Sequence, residues 1–276
     1  MNYRHSFHAG NNADVVKHSL LIALVRALQQ KDSALTLIDT HAGCGLYNLF
    51  ADEARRTGEA AQGVMRAIAD TSPLLNDYRA AVMAVNDGDT PHIYPGSPRV
   101  LAQLVRPQDN LILNEKHPED AYTLRSVMRG MPSAIHERDA YELWLAMIPP
   151  RTPRGVVVVD PPYEKTDERA RITSTLAAAS RKWAHGVTVI WYPLKDRAAH
   201  RRWKDQLRKI GIVKFLCVEH WLYDDEQPGI FNGSGLFIVN PPYAFTQELP
   251  PLLEALRAAL APEGHKGHMT ADWLIM

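Results

Sequence analysis

The stretch Val156-Val157-Val158-Val159-Asp160-Pro161-Pro162-Tyr163 constrains this chain more than any other. Four consecutive β-branched residues favour an extended strand. The run has no polar face, so both of its sides must be covered, as in the centre of a parallel sheet. The strand must stop at the prolines, which bring no amide hydrogen to a ladder and restrict the backbone before them. A carboxylate, a rigid turn and an aromatic ring are thereby set at its carboxyl end. That is the edge where open α/β sheets bind their ligands.

Six more strands are expected at 35–39, 110–114, 134–137, 187–192, 213–219 and 235–240. Helices are expected between them at 13–30, 98–105, 119–129, 140–147, 167–183 and 196–210. Asn12 is placed to cap the first, and Ser97 before Pro98 is placed to cap the second. The alternation predicts an α/β fold with a seven-stranded, mostly parallel sheet. One spacing is anomalous. An acid ending the second strand of a nucleotide-binding unit lies about 20 residues past the glycine turn, yet Glu115 lies 76 residues past Asp39. Residues 46–92 therefore read as a small helical subdomain, with helices near 52–70 and 74–86. It is inserted between the first strand and its helix, in a single domain covering 1–276.

The chain has 276 residues, with 31 Lys+Arg against 31 Asp+Glu. Zero net charge excludes a polycationic tail but not a local basic face. Residues 164–220 carry 13 basic and 6 acidic groups, while 32–163 carry 12 basic and 17 acidic. Cys44 and Cys217 suit a reducing cytoplasm and form neither a disulfide framework nor a zinc pattern. The apolar stretch 20–25 is cut by Arg26 and is too short to span a bilayer, so no membrane partner is expected.

The chemistry begins at the glycine turn Asp39-Thr40-His41-Ala42-Gly43-Cys44-Gly45, whose small residues let backbone approach a nucleoside. It is neither GxGxxG nor a Walker pattern, which disfavours NAD and ATP. Asp39 is placed for a ligand's charged end, Glu115 for ribose hydroxyls and Asp139 for an adenine amino group. At Asp160, a carboxylate plus the Pro161 carbonyl can accept both hydrogens of an exocyclic amine, and Tyr163 offers a face for stacking a base. An aromatic amine is a poor nucleophile, and two aligned acceptors aim its nitrogen at a methyl donor. The donor would be a sulfonium such as S-adenosylmethionine, with positioning supplying much of the acceleration and no metal required. A rival turn, Asn240-Pro241-Pro242-Tyr243, ends the seventh strand and reads as structural. The segment Tyr3-Arg4-His5-Ser6-Phe7-His8-Ala9-Gly10-Asn11 reads as a lid over the site, and Lys17 or His18 could touch the donor's carboxylate.

These blocks resemble a known family. Residues 3–11, Ala13-Asp14-Val15, Lys17-His18, Asp39-Thr40-His41-Ala42-Gly43, Tyr94-Pro95-Gly96-Ser97-Pro98, Asp160-Pro161-Pro162-Tyr163, Trp191-Tyr192-Pro193 and Asn240-Pro241-Pro242 are similar to the bacterial 23S ribosomal RNA (adenine(2030)-N6)-methyltransferases. The resemblance spans nearly the whole chain. It implies a Rossmann-like class I methyltransferase domain acting as a monomer. It also implies 23S ribosomal RNA as partner, free or in an early assembly intermediate. It implies S-adenosylmethionine contacts at Lys17, His18, His41, Ser97, Glu115, Asp139, Ala140 and Asp160. Asp160 would receive the target amine, Tyr3 would touch RNA and His5 would order the lid. Three alternatives stay open from the residues alone. They are a DNA adenine-N6 methyltransferase, a non-catalytic ribosome-assembly or nucleic-acid-binding factor, and a protein glutamine methyltransferase.

Overall fold

The computed structural model describes residues 4–225, 227 and 230–276. A 3-10 turn at His5–Phe7 leads into α1 (Asn12–Gln29) and β1 (Thr36–Asp39). Next come β2 (Leu46–Asn48), α2 (Asp52–Thr57), α3 (Glu59–Gln62), α4 (Val64–Ala69), α5 (Asn76–Met83) and β3 (Ile93–Pro95). The chain continues through α6 (Ser97–Leu104), β4 (Asn110–Asn114), α7 (Pro118–Val127), β5 (Ala134–His136), α8 (Ala140–Met147) and β6 (Gly155–Val159). It closes with α9 (Glu168–Lys182), β7 (Val187–Leu194), α10 (Arg197–Arg208), β8 (Phe215–Trp221), β9 (Gly233–Val239), α11 (Tyr243–Leu260) and β10 (His268–Ile275).

Among the described residues, eight strands form one sheet in the order β10-β8-β9-β7-β6-β1-β4-β5, and β2 pairs with β3 in a separate ribbon. The seven expected strands are present, and β10 is an addition. Its sequence has no clean two-residue period, and its residues are half-buried or exposed. Antiparallel pairing with the edge of β8, rather than a buried face of its own, makes it a strand. The β5-β4-β1-β6-β7 portion is parallel. β9 is antiparallel to both β7 and β8.

The valine run behaves as its composition demands. β6 is buried at every position. Val156 and Val158 join the core layer that contains Leu21, Leu101 and Leu256 of α1, α6 and α11. Val157 and Val159 join the opposite layer, with Trp144, Ile172 and Trp203 of α8, α9 and α10. β1 lies between β6 and β4, and the chain leaves β1 toward β4 but leaves β6 toward β7. The carboxyl ends of β1 and β6 therefore flank a topological switch point, where the crevice of an open sheet forms.

Three local expectations need correction. The cap of α1 is Asn11, whose side chain accepts from the Asp14 amide at 3.0 Å, and Asn12 is the first helical residue. The cap position of α6 belongs to Gly96, with Ser97 already helical. The stretch expected as one helix near 52–70 is broken at Gly58, which is left-handed, and at Gly63. Gly63 faces the N-terminal segment so closely that a Cβ there would sit 2.1 Å from the Gly10 carbonyl oxygen. That same oxygen accepts from the Val64 amide at 2.8 Å. Among the described residues, no helix is long and apolar enough to cross a membrane.

Candidate active site at the carboxyl edge of the sheet

The site is assembled around one lysine. Asp14, Lys17 and His18 lie on α1 at helical spacing, and all three are buried despite their charge or polarity. Lys17 Nζ lies 2.9 Å from Asp14 Oδ1 and 2.6 Å from Asp160 Oδ2. Burial would lower the ammonium's pKa, but Asp14 and Asp160 outweigh it and hold Lys17 above its usual value. Asp14 also accepts from the Gly10 amide at 2.9 Å and stands 3.0 Å from His5 Nε2. Burial pushes Asp14 up, yet His5 and Lys17 prevail and hold it well below the carboxylate range. His5, Asp14, Lys17 and Asp160 thus form a continuous chain from the N-terminal segment to the end of β6.

The Asp160 turn is rigid on its far side as well. Tyr163 has φ 52°, a left-handed conformation unusual for an aromatic residue. Its hydroxyl donates to the Trp191 carbonyl of β7 at 2.8 Å. The ring meets Trp191 and Trp203 edge to face, with centroids 5.9 and 6.4 Å away. The ring is therefore anchored at its tip and braced on its sides. The Asp160 amide is 3.4 Å from His41 Nδ1, a ring nitrogen that also pairs with the Thr40 hydroxyl at 2.9 Å.

Beside Asp160 lies Asp39 at the end of β1, fully buried. Burial pushes its carboxyl up to about 6 against the pull of the Ser97 side chain and the His41 amide. Its Oδ2 has no hydrogen-bond partner among the described residues, and neither does His18 Nε2. Burial lowers His18 to about 3, so the imidazole is neutral at pH 7, while its Nδ1 pairs with the Tyr94 hydroxyl at 2.9 Å. Buried polar atoms without partners are costly and call for a ligand. An unpaired carboxylate oxygen suits an ammonium, and a neutral imidazole nitrogen suits a polar group. Glu115 accepts from the Gly43 amide at 2.9 Å and the His117 amide at 2.7 Å, tying the end of β4 to the glycine turn. Both oxygens retain acceptor capacity for hydroxyls. These features fit the amino acid and ribose portions of S-adenosylmethionine.

Asp139 is placed differently from a free acceptor. It caps α8 through the Tyr141 amide at 3.1 Å and meets Lys116 at 3.1 Å and Arg171 at 3.0 Å. Burial opposes ionisation, but Lys116 and Arg171 hold its carboxyl down at about 2. Ala140 follows as the first residue of α8. Tyr3 lies outside the described residues. His5 faces Asp14 as described above, with its ring 4.8 Å from that of Tyr47. Sequence reasoning passed over Asp14 as a functional group and missed Arg171. The signal for Asp14 was available: an acid three and four residues before a lysine and a histidine, just ahead of the apolar run 20–25.

Comparisons with known proteins agree with this arrangement. A family model described as "Ribosomal RNA large subunit methyltransferase D, RlmJ" matches residues 32–275. The chain is 36% identical over 279 residues to ribosomal RNA large subunit methyltransferase J of Escherichia coli K12, covering 100% of this chain and 99% of that one. It is 33% identical over 279 residues to the protein of the same name from Haemophilus influenzae, covering 99% of each. A solved structure of a Legionella pneumophila protein, 30% identical, superposes with a TM-score of 0.89 over 96% of this chain and 98% of that one.

Proposed function

This chain belongs to the family of ribosomal RNA large subunit methyltransferase J, and on that premise we propose that it methylates the exocyclic N6 amine of an adenine in 23S ribosomal RNA. The adenine is the one that the family designation numbers 2030. The observation that carries this reading is the Asp160 carboxylate, held by Lys17 at the switch point of the sheet beside the braced Tyr163 ring. Residues 1–276 act as one methyltransferase domain, with 46–92 as an inserted subdomain. The protein works as a monomer in the cytoplasm, where it meets its RNA.

S-adenosylmethionine supplies an electrophilic methyl group when bound. Asp39 and His18 hold its amino acid end, with Lys17, His41 and Ser97 around them. Glu115 takes the ribose hydroxyls, and Asp139 with Ala140 borders the adenine. The target base leaves its stack and lies against Tyr163. Asp160 and the Pro161 carbonyl accept the two amine hydrogens, which aims the nitrogen lone pair at the methyl carbon. With the donor bound, the N–C bond would form as the donor's S–CH3 bond breaks, leaving a neutral thioether, and the nitrogen would shed one proton to water. The Lys17 ammonium keeps the Asp160 oxygen fixed as an acceptor throughout. Tyr3 and His5 contact the RNA from the N-terminal segment.

The test is Asp160→Ala, assayed with S-adenosylmethionine on protein-free 23S RNA and on duplex DNA, with N6-methyladenosine mapped in the product. Methylation of one RNA adenine by the wild type, lost in the variant while its fold stays intact in thermal melts, is the expected result. A near-wild-type rate in the variant, or methylation of the duplex alone, overturns the reading.

A further inference from the structure

Cations around the mouth of the site fall into two groups. Near Asp139 they are engaged: Lys116 and Arg171 on Asp139, and Arg125 on Glu137. A second set lies on the loop after Asp160, before α10 and on the outer face of α10. Lys165, Lys195, Arg201 and Arg202 are exposed, and among the described residues none forms a close ion pair. Arg169 lies half-buried with its guanidinium 5.2 Å over the Trp203 ring, which itself braces Tyr163. Tyr163, Asp196 and His200 feel Arg169, Asp196 feels Arg202, and His8 on the N-terminal side feels Lys195. Of the acids among them, Asp196 is spent as the cap of α10, accepting from the Ala199 amide at 2.8 Å, while Glu164 and Asp167, exposed on the loop before α9, offset part of the positive charge.

We propose that this rim, formed by Lys165, Arg169, Lys195, Arg201 and Arg202, docks the phosphates of the RNA strand that carries the target adenine. The inference rests on the function proposed above and extends it to how the substrate is held. A base turned out into the Tyr163 pocket leaves its own phosphate and its neighbours' at the pocket mouth. Phosphate contacts position a strand without reading its sequence, and guanidinium groups match phosphate oxygens in pairs. A chain of zero net charge thereby grips a polyanion through one face. The α10 helix is suited to the task because its inner residues, His200, Trp203 and Leu207, are buried, which leaves Arg201 and Arg202 on a fixed outer surface.

The experiment measures binding of in vitro transcribed 23S RNA to the full chain over a series of potassium chloride concentrations. The paired variant Arg201→Glu with Arg202→Glu is expected to bind at least about ten-fold more weakly and to reduce the log–log salt slope by about 1.4 to 1.8. Lys165→Glu with Lys195→Glu is an independent pair expected to behave alike. Donor binding by calorimetry, melting temperature and kcat at saturating RNA should stay within about two-fold or unchanged, since phosphate contacts position rather than react. The matched control reverses Arg151 and Arg181, exposed residues at the opposite edge of the sheet. Wild-type affinity and slope in both rim pairs overturns the proposal, as expected if the rim takes an acidic protein instead. Equal losses in rim and control pairs also overturn it. A wild type that binds through the rim yet methylates no 23S adenine leaves the rim standing and removes the proposed reaction.

Discussion

Two turns of this molecule share the sequence Pro-Pro-Tyr after a strand, and they end up at opposite edges of one sheet. Asp160-Pro161-Pro162-Tyr163 follows β6, parallel to β1. Asn240-Pro241-Pro242-Tyr243 follows β9, which runs antiparallel to β7, so its end lies beside the start of β7. Asn240 is left-handed, with φ 51°, and its side-chain amide donates to the carbonyls of Ala184 and Gly186, both at 2.9 Å. Every hydrogen it can donate from the side chain is used on backbone. Tyr243 is 77% exposed and opens α11. A cavity of about 130 Å³ does lie beside Asn240, but no side chain lining it is titratable. At the other turn the polar groups are held by charge, and two neighbouring buried atoms, on Asp39 and His18, lack partners. The tetrapeptide is local chemistry; strand direction decides whether it becomes a binding edge or a clasp.

The comparison breaks most directly through activity. Asp160→Ala should cut methyl transfer at least about 100-fold, the scale of losing a hydrogen-bonding group aimed at the reacting centre. Asn240→Ala should leave kcat unchanged. Equal losses from the two would erase the distinction drawn here. Asp14→Asn tests the buried side of the active turn. Removing one carboxylate from the buried Lys17 costs about 3 kcal/mol, and kcat should fall about ten-fold as the lysine loses its seat. Because the folded carboxyl of Asp14 lies below its unfolded value, its contribution is present above about pH 4 and is lost as pH falls. The variant's melting temperature should therefore depend less on acid than the wild type's.

Asp39→Asn sharpens the contrast from the opposite direction. The folded carboxyl of Asp39 is raised to about 6. Its contribution to stability is therefore fully present below about pH 4 and is lost as pH rises through about 6. The asparagine variant should be more stable than the ligand-free wild type at pH 7, by about 1–3 kcal/mol in thermal or urea melts. Donor binding should weaken about ten-fold and lose its increase between pH 5 and 7. A destabilised variant with intact donor affinity would show that Asp39 is structural.

Much of this was legible because it depends on short-range pattern. The valine run, the glycine turn and the order of strand ends place Asp39, Glu115, Asp139 and Asp160 along one edge, and the structure has them there. What was not legible depends on tertiary partners. Nothing in Gly235–Asn240 specifies direction, which is set by pairing with β7 and β8 together. Ser97 was expected to cap α6 and instead turns toward Asp39, because β1 ends where α6 begins. Asp139 was expected to meet an adenine amino group, but Arg171, 32 residues on, arrives from α9 and pairs with it. The stretch 268–275 has no strand period and extends only because the edge of β8 accepts it.

The smallest effect tests the clasp itself. Asn240→Ala removes two hydrogen bonds to backbone carbonyls that then stay close to the 130 Å³ cavity. It also places alanine in a left-handed conformation, which asparagine tolerates better. Together these should cost about 1–3 kcal/mol in urea unfolding. Asn240→Gly keeps the conformation but not the hydrogen bonds, so its loss should be smaller, by about 1 kcal/mol. The difference between the two variants isolates the backbone term from the hydrogen bonds. If both variants melt like the wild type, the Asn240 amide is not the clasp, and the Pro241-Pro242 pair must hold the end of β9 unaided.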